Sequence, residues 1–395
     1  MTSTSRIASI CLVAVLSAVP ARAQDSRAAE LAAQQADKSK NLEPNTPSTP
    51  ERLLERFENH FNDPNTVYVA FGGVYPSGGF SSGLAGRRAI GRARFDARGM
   101  YSIRNYKLAE ASMRFPDLAS NRIEIDTRVR WADATQVPFY GVGNDTDKDN
   151  RVNYGLRSLD AGASFALRPV PWYRIGGTIA LRRMEDREGD GSRPSIETVA
   201  TPSTAPALFS ETRYTRTIAF TSIDWRTSPG YSRKGGFYSI ALNDFRDADD
   251  RFGFHRVDAE LQQLLPLLKE HWILAFRGVV RTTDVDDQQL VPYYLLPSLS
   301  GGRMHRGYSD FRFQDRHMML LSGEYRWTPS RVLDMALFVD TGKVAHERRD
   351  LDFNHLKTAY GIGFRIHGPA LTPLRLDIAR GSEGIRFHLT GGIPF

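Results

Sequence analysis

Cysteine is almost missing from this 395-residue chain: the only one, Cys11, lies close to the amino end. Beyond it there is no thiol to form a disulfide, a cysteine nucleophile or a thiolate metal site. Long apolar runs are missing as well. After the first residues no stretch reaches the roughly eighteen consecutive apolar residues of a spanning helix, and mean hydropathy is -0.39. A helical membrane protein is excluded, but a transmembrane β-barrel is not, because its strands alternate lipid-facing and lumen-facing residues and average to neutral. Blocks of one charge are missing too. The formal net charge of +7 is spread over interleaved arginines and carboxylates. No basic tail or stripe suits nucleic acid, and the arginine excess suits anionic lipid heads.

Residues 1–23 hold Arg6, an apolar run from Ile7 to Val19 and the small-residue site Ala21-Arg22-Ala23, the pattern of a cleaved secretory signal. Residues 24–65 read as a flexible leader rich in Ala, Gln, Ser and Pro, ending in a short amphipathic helix over 51–61 with Leu53, Leu54, Phe57 and Phe61 on one stripe. From Thr66 the apolar period becomes two and stays so to Phe395. In one strand Ile123, Ile125, Thr127, Val129 and Trp131 alternate with Arg122, Glu124, Asp126, Arg128 and Arg130. Such a charged face is a wet lumen in a barrel. Residues 92–115 are too long for one crossing of about ten residues and predict two strands, with a turn at Arg98-Gly99.

Short connectors near 116–120, 169–171, 227–234, 265–270, 328–331 and 367–372 trade places with long polar ones near 132–153, 183–210, 283–317 and 342–357. Short turns on one rim and long loops on the other predict an all-β, antiparallel outer-membrane barrel with periplasmic turns. Splitting 92–115 raises roughly fifteen strand-like segments to sixteen, the even number that places both termini in the periplasm. The last segment puts Phe387, Leu389, Gly391 and Phe395 on one face and His388 and Gly392 on the other.

The long loop near 283–317 contains Gly301, Gly302, Arg306, Gly307 and Tyr308. By parity, Glu324 in one following strand and Asp340 in the next face the lumen, within reach of a loop that folds inward. A guanidinium fork suits two such carboxylates. These elements resemble the bacterial surface-antigen family, the carboxy-terminal barrels of the BamA and TamA type and their two-partner-secretion relatives. The likeness covers roughly 66–395. It rests on Gly301-Gly302 leading to Arg306-Gly307-Tyr308, Ser322-Gly323-Glu324-Tyr325-Arg326, Leu337-Phe338-Val339-Asp340-Thr341-Gly342, Gly361-Ile362-Gly363-Phe364-Arg365 and the aromatic-ended last strand.

The resemblance implies that Arg306 packs inside the barrel against Glu324 and Asp340, that Phe387, Leu389, Gly391, Gly392 and Phe395 form an assembly signal and seam, and that the protein is inserted by the host barrel-assembly machine. It implies a non-enzymatic function at the bacterial outer membrane, in which polypeptides are inserted or translocated through a seam that opens. Its expected partners are outer-membrane lipids and client polypeptides. His305 departs from the family, which usually has a small aliphatic residue there, and this departure bears on the packing implied for the loop and not on the salt bridge. The leader is too short for the family's periplasmic domains. The alternatives are a stand-alone pore or structural barrel, and a barrel hydrolase.

Catalytic and metal motifs fail on inspection. Gly79-Phe80-Ser81-Ser82-Gly83 lacks the following helix of a hydrolase elbow. Asp145, Asp147 and Asp149 open like a calcium loop, but Asn150 and Leu156 stand where the turn glycine and bidentate glutamate belong. The nine histidines form no ligand pattern. No cofactor or metal is expected.

Overall fold

A computed structural model describes Arg52 and residues 65–267, 271–368 and 372–391. The signal, most of the leader, the helix expected over 51–61, and Gly392 and Phe395 lie outside the described residues. Contacts separate Met1–Arg52 from Leu53–Phe395, and the barrel belongs to the second unit.

Sixteen strands form one antiparallel sheet in sequence order. They begin with β1 (Thr66–Gly72), β2 (Ser81–Ile90), β3 (Ala93–Ser102), β4 (Lys107–Leu118) and β5 (Ile123–Phe139). The far wall is β6 (Val152–Val170), β7 (Tyr173–Glu188), β8 (Thr212–Asp224), β9 (Gly235–Asp247), β10 (Phe254–Leu267) and β11 (Trp272–Asp284). The wall is completed by β12 (His317–Ser330), β13 (Leu333–Ala345), β14 (Lys357–Ile366), β15 (Leu374–Gly381) and β16 (Gly384–Thr390).

Alternation sets the two faces. Large apolar residues such as Val69, Leu181, Leu242, Leu337 and Phe387 stand exposed on the outside. Arginines and carboxylates meet across neighbouring strands on the inside, as in Arg87 with Asp96 at 2.7 Å, Arg174 with Glu124 at 2.9 Å and Arg277 with Glu260 at 2.7 Å. Such cross-strand pairs fix register, because a slip of one residue would turn the charges outward. Four of the five tryptophans, Trp172, Trp225, Trp272 and Trp327, gather at the rim of short turns, an aromatic belt that the sequence reading passed over.

The expected division of 92–115 holds, but the turn does not fall at Arg98-Gly99. Those residues lie in the middle of β3, paired with Glu110 and Ala109 of β4, and Arg98 reaches Glu110 at 3.0 Å across the lumen face. The reversal is at 103–106, where Asn105 takes a positive φ of 62° and the Ser102 hydroxyl accepts the Arg104 and Tyr106 amides. A short side chain that accepts its neighbours' amides makes the turn, and an arginine-glycine pair does not. The trade of short and long connectors also relaxes near the two sheet edges, where Ser382-Glu383 alone joins β15 to β16 on the long-loop rim.

The long-loop end is filled. Tyr293, from the loop between β11 and β12, packs edge-on against Tyr154 at 4.9 Å and Phe139 at 5.3 Å, and its hydroxyl donates to Asp186 at 2.9 Å. Tyr106, Phe252, Phe254 and Phe311 join the same buried cluster. Below this cap the lumen is lined by the charged rows.

Candidate functional site

The loop between β11 and β12 folds into the barrel and delivers Arg306 to the inner wall. Arg306 holds Asp340 of β13 with two parallel bonds, Nε to Oδ2 at 2.7 Å and Nη2 to Oδ1 at 2.7 Å, while its backbone amide donates to the same carboxylate at 3.0 Å. Its remaining arm, Nη1, donates to Glu324 of β12 at 2.5 Å. The guanidinium carbon lies 3.5 Å from the centre of the Phe338 ring, which supplies a π face where no further acceptor stands. The Arg306, Glu324 and Asp340 side chains are at most 2% exposed. The pairing expected from parity and resemblance is therefore the one observed.

The wall around it carries more charge than the sequence reading assigned. Glu324 also accepts Arg326 Nε at 2.6 Å and Arg365 Nη2 at 2.9 Å. Asp377 of β15 lies 2.8 Å from Arg375 Nε, a contact of opposite charges without hydrogen-bond alignment, and 3.9 Å from Arg306. Four buried guanidiniums thus face three carboxylates. Arg326 and Arg365 fell on inward positions or in a quoted motif, but no role followed from that. Arg375 and Asp377 were missed, although the alternation of β15 signals both.

Two glycines are explained by geometry. A Cβ on Gly307 would stand 2.2 Å from the Ala359 side chain, so only glycine brings the loop flat against β14. Gly301 adopts a φ of +120°, which other residues avoid. Tyr308 is buried, and its hydroxyl lies 3.0 Å from Ser382 Oγ in the β15–β16 turn. Gly302 lies under the last strand: its carbonyl accepts Arg375 Nη2 at 2.7 Å, and a Cβ there would meet the His388 ring at 2.8 Å.

His305, the departure from the family pattern, is itself packed into the site. It is fully buried, its Nε2 donates to the Lys357 carbonyl at 2.7 Å, and its Nδ1 accepts the Gly307 amide at 3.3 Å. That pattern needs the neutral ring. Burial pushes the imidazole below its ordinary value, against the pull of Asp340. A depressed folded-state value stabilises the seated loop above the unfolded value of about 6.5, and this contribution is lost as pH falls through the folded one. Thermal midpoints measured from pH 7.5 to pH 5 should therefore fall more steeply for the wild type than for His305→Asn. Parallel curves would remove His305 from the seating of the loop.

The same loop touches both ends of the sheet. On the last strand, His388 Nε2 donates to the Arg306 carbonyl at 2.7 Å, and beside it Arg312 Nε donates to Glu383 at 2.7 Å. On the opposite side Asp310 Oδ2 accepts the Ser77 amide at 2.6 Å, and Phe311 stacks on Tyr75 at 5.8 Å, both in the connection between β1 and β2. Among the described residues β1 pairs only with β2 and β16 only with β15. The loop thus reaches both edges of the sheet, the last strand through His388 and the connection after the first through Asp310 and Phe311. Of the residues expected at this seam, Phe387 and Leu389 point outward and are exposed, and Gly391 follows the last strand.

BamA from Haemophilus ducreyi, in a structure lacking POTRA domains 1-3, superposes with a TM-score of 0.61 at 14% identity over 83% of this chain and 70% of that one. This is the fold of the BamA barrel. CdiB from Escherichia coli superposes at 0.51 with 13% identity over 84% of this chain, which spans 62% of the length of CdiB. No known protein family and no curated protein matches the sequence. The BamA likeness therefore rests on strand number, order and shape. The roles of Arg306 and its acids in this chain rest on the geometry above.

Proposed function

We propose that the chain is a bacterial outer-membrane barrel that helps other polypeptides insert into or cross that membrane, by transient opening of the seam between β1 and β16. The observation that carries this reading is the clasp: one inward-folded loop bonds β16 through His388 and the β1–β2 connection through Asp310, so a single element bridges the first and last strands from inside the lumen. The membrane setting is supported by the exposed apolar outer face and by the tryptophan belt on one rim. In this setting the long loops lie outside the cell, the short turns and both termini in the periplasm, lipids cover the wall, and the host assembly machine inserts the chain. The fold shared with BamA and CdiB accords with the role.

In this reading the protein acts without catalysis or cofactor, and the inward acids Glu324 and Asp340 serve to hold the loop through Arg306. The pore alternative is disfavoured by the aromatic cap and the seated loop. The test has two arms on one preparation. The reconstituted full chain should show no steady conductance in a planar bilayer. A photo-crosslinking residue at Phe387 or Phe71 should capture newly made outer-membrane barrels in cells, and one at exposed Leu181 on the far wall should not. Large steady currents, or equal capture at all three positions, would sink the proposal.

A further inference from the structure

On the outer wall, β11 to β16 carry an open groove of about 670 Å³. Two outward rows build it. The row nearer the short turns is apolar: Leu274 pairs with Tyr325, Tyr325 with Leu337, Leu337 with Ile362 and Ile362 with Ile378. The row on its long-loop side runs through Phe276, Gly323, Val339, Tyr360 and Arg380 by the same ladders. Gly323 is the floor. A Cβ there would meet nothing within 4 Å, although Phe276 and Val339 stand opposite it on the neighbouring strands.

Arg380 breaks this apolar face. It lines the groove beside Ile385, is exposed, and has no hydrogen bond or ion pair among the described residues. The acid in the lining, Glu324, turns its carboxylate into the lumen, where Arg306, Arg326 and Arg365 hold it. An arginine on a lipid-facing wall is costly in a depth-dependent way, and a charge kept there marks a site whose partner has to be named. Arg380 lies just before the β15–β16 turn, on the long-loop side of the groove. The next outward pair on that side is polar too: Thr341 opposes Thr358, with their hydroxyls 2.7 Å apart. Thr358 is the outward neighbour of Tyr360, the partner of Arg380, and such diagonal positions are roughly 7–8 Å apart, within reach of a long side chain. The groove is therefore polar at its long-loop end and apolar toward the short turns.

We propose that the groove seats one phosphate-bearing lipid of the outer leaflet, with its phosphate on Arg380 and the Thr358 hydroxyl and an acyl chain laid over Gly323 against Leu337, Ile362 and Ile378. A guanidinium offers phosphate paired donors in one plane, and the anion supplies the partner that the protein does not. The polarity of the groove matches that of the lipid, charge at the rim and hydrocarbon toward the midplane. The inference rests on the outer-membrane setting proposed above and not on opening of the seam.

Native mass spectrometry of the full chain in an uncharged detergent tests the site, with dipalmitoyl phosphatidic acid in one arm and dipalmitoylglycerol, which lacks the phosphate, in the other. The wild type should retain one phosphatidic acid and no dipalmitoylglycerol at the same concentration. Arg380→Gln should lower retention roughly tenfold, the loss of one charge-assisted contact. Gly323→Leu should lower it as well by filling the floor, and Arg246→Gln, which alters an outward arginine already paired with Asp244, should not. Flotation with phosphatidylcholine vesicles reads the membrane setting separately. A chain that floats but retains no phosphatidic acid, retains both probes equally, or binds undiminished in Arg380→Gln or Gly323→Leu overturns the lipid site alone. A chain that does not float overturns the setting with it. Protein dimers in place of the lipid adduct would put a second copy on the groove and overturn the proposal too.

Discussion

Arg306→Ala should destabilise the barrel by about 3–5 kcal/mol, the range for removing one member of a buried charged pair. The size follows from what is left behind. Asp340 receives both of its side-chain bonds from Arg306, at 2.7 Å each, and among the described residues has no other arginine within ion-pair distance, so the substitution leaves a buried carboxylate with one backbone amide. Glu324 fares better because Arg326 and Arg365 still hold it. The partners therefore respond differently. Asp340→Asn in the Arg306→Ala background removes the stranded charge and should restore part of the loss, whereas Glu324→Gln in that background leaves Arg326 and Arg365 without their carboxylate and should deepen it. Urea midpoints of the four chains read both effects. A single variant within about 1 kcal/mol of wild type, or rescue by Glu324→Gln in place of Asp340→Asn, would mean that the loop is not held by this pair.

That contrast marks how far the sequence could be read. Parity placed Glu324 and Asp340 inside because β12 and β13 alternate without interruption, and the arginine between glycines in a long loop supplied the third member. The rest of the cluster needed a quantity that alternation does not carry, the depth to which the loop descends. Arg375 and Asp377 alternate inward as clearly as Asp340 does, yet only a loop lying across β14 and β15 brings them to Arg306. The turn placed at Arg98-Gly99 failed for a local reason: an inward arginine paired with Glu110 and a mid-strand glycine look like a reversal when the lumen is not yet known to hold salt bridges. His305 was legible only as a departure from the family, and its role came from a geometry that the sequence does not carry, in which both ring nitrogens are used. The cap was legible and passed over. Val291-Pro292-Tyr293-Tyr294-Leu295-Leu296 is an apolar run inside a polar loop, and such a run has to be buried somewhere.

Cutting the clasp should loosen the seam and leave the rest of the barrel intact. His388→Phe keeps a ring against Gly302 but removes the donor to the Arg306 carbonyl, and Asp310→Ala removes the acceptor for the Ser77 amide. Each is one hydrogen bond involving a buried or charged group, with a net contribution of about 1–1.5 kcal/mol, or roughly a tenfold change in an opening equilibrium. The two bonds grip opposite edges and share no atoms, so their effects should nearly add when both are cut, to roughly a hundredfold. Hydrogen exchange resolves the result by strand. Amides of β1 and β16 should exchange faster in the order wild type, single variants, double variant, while those of β6 and β10 keep wild-type rates, because their ladders are complete on both sides. Uniform acceleration around the barrel would mean that the loop stabilises the fold as a whole. Unchanged rates at β1 and β16 would mean that the edges are held by something other than the loop, and the seam would then lose its gate.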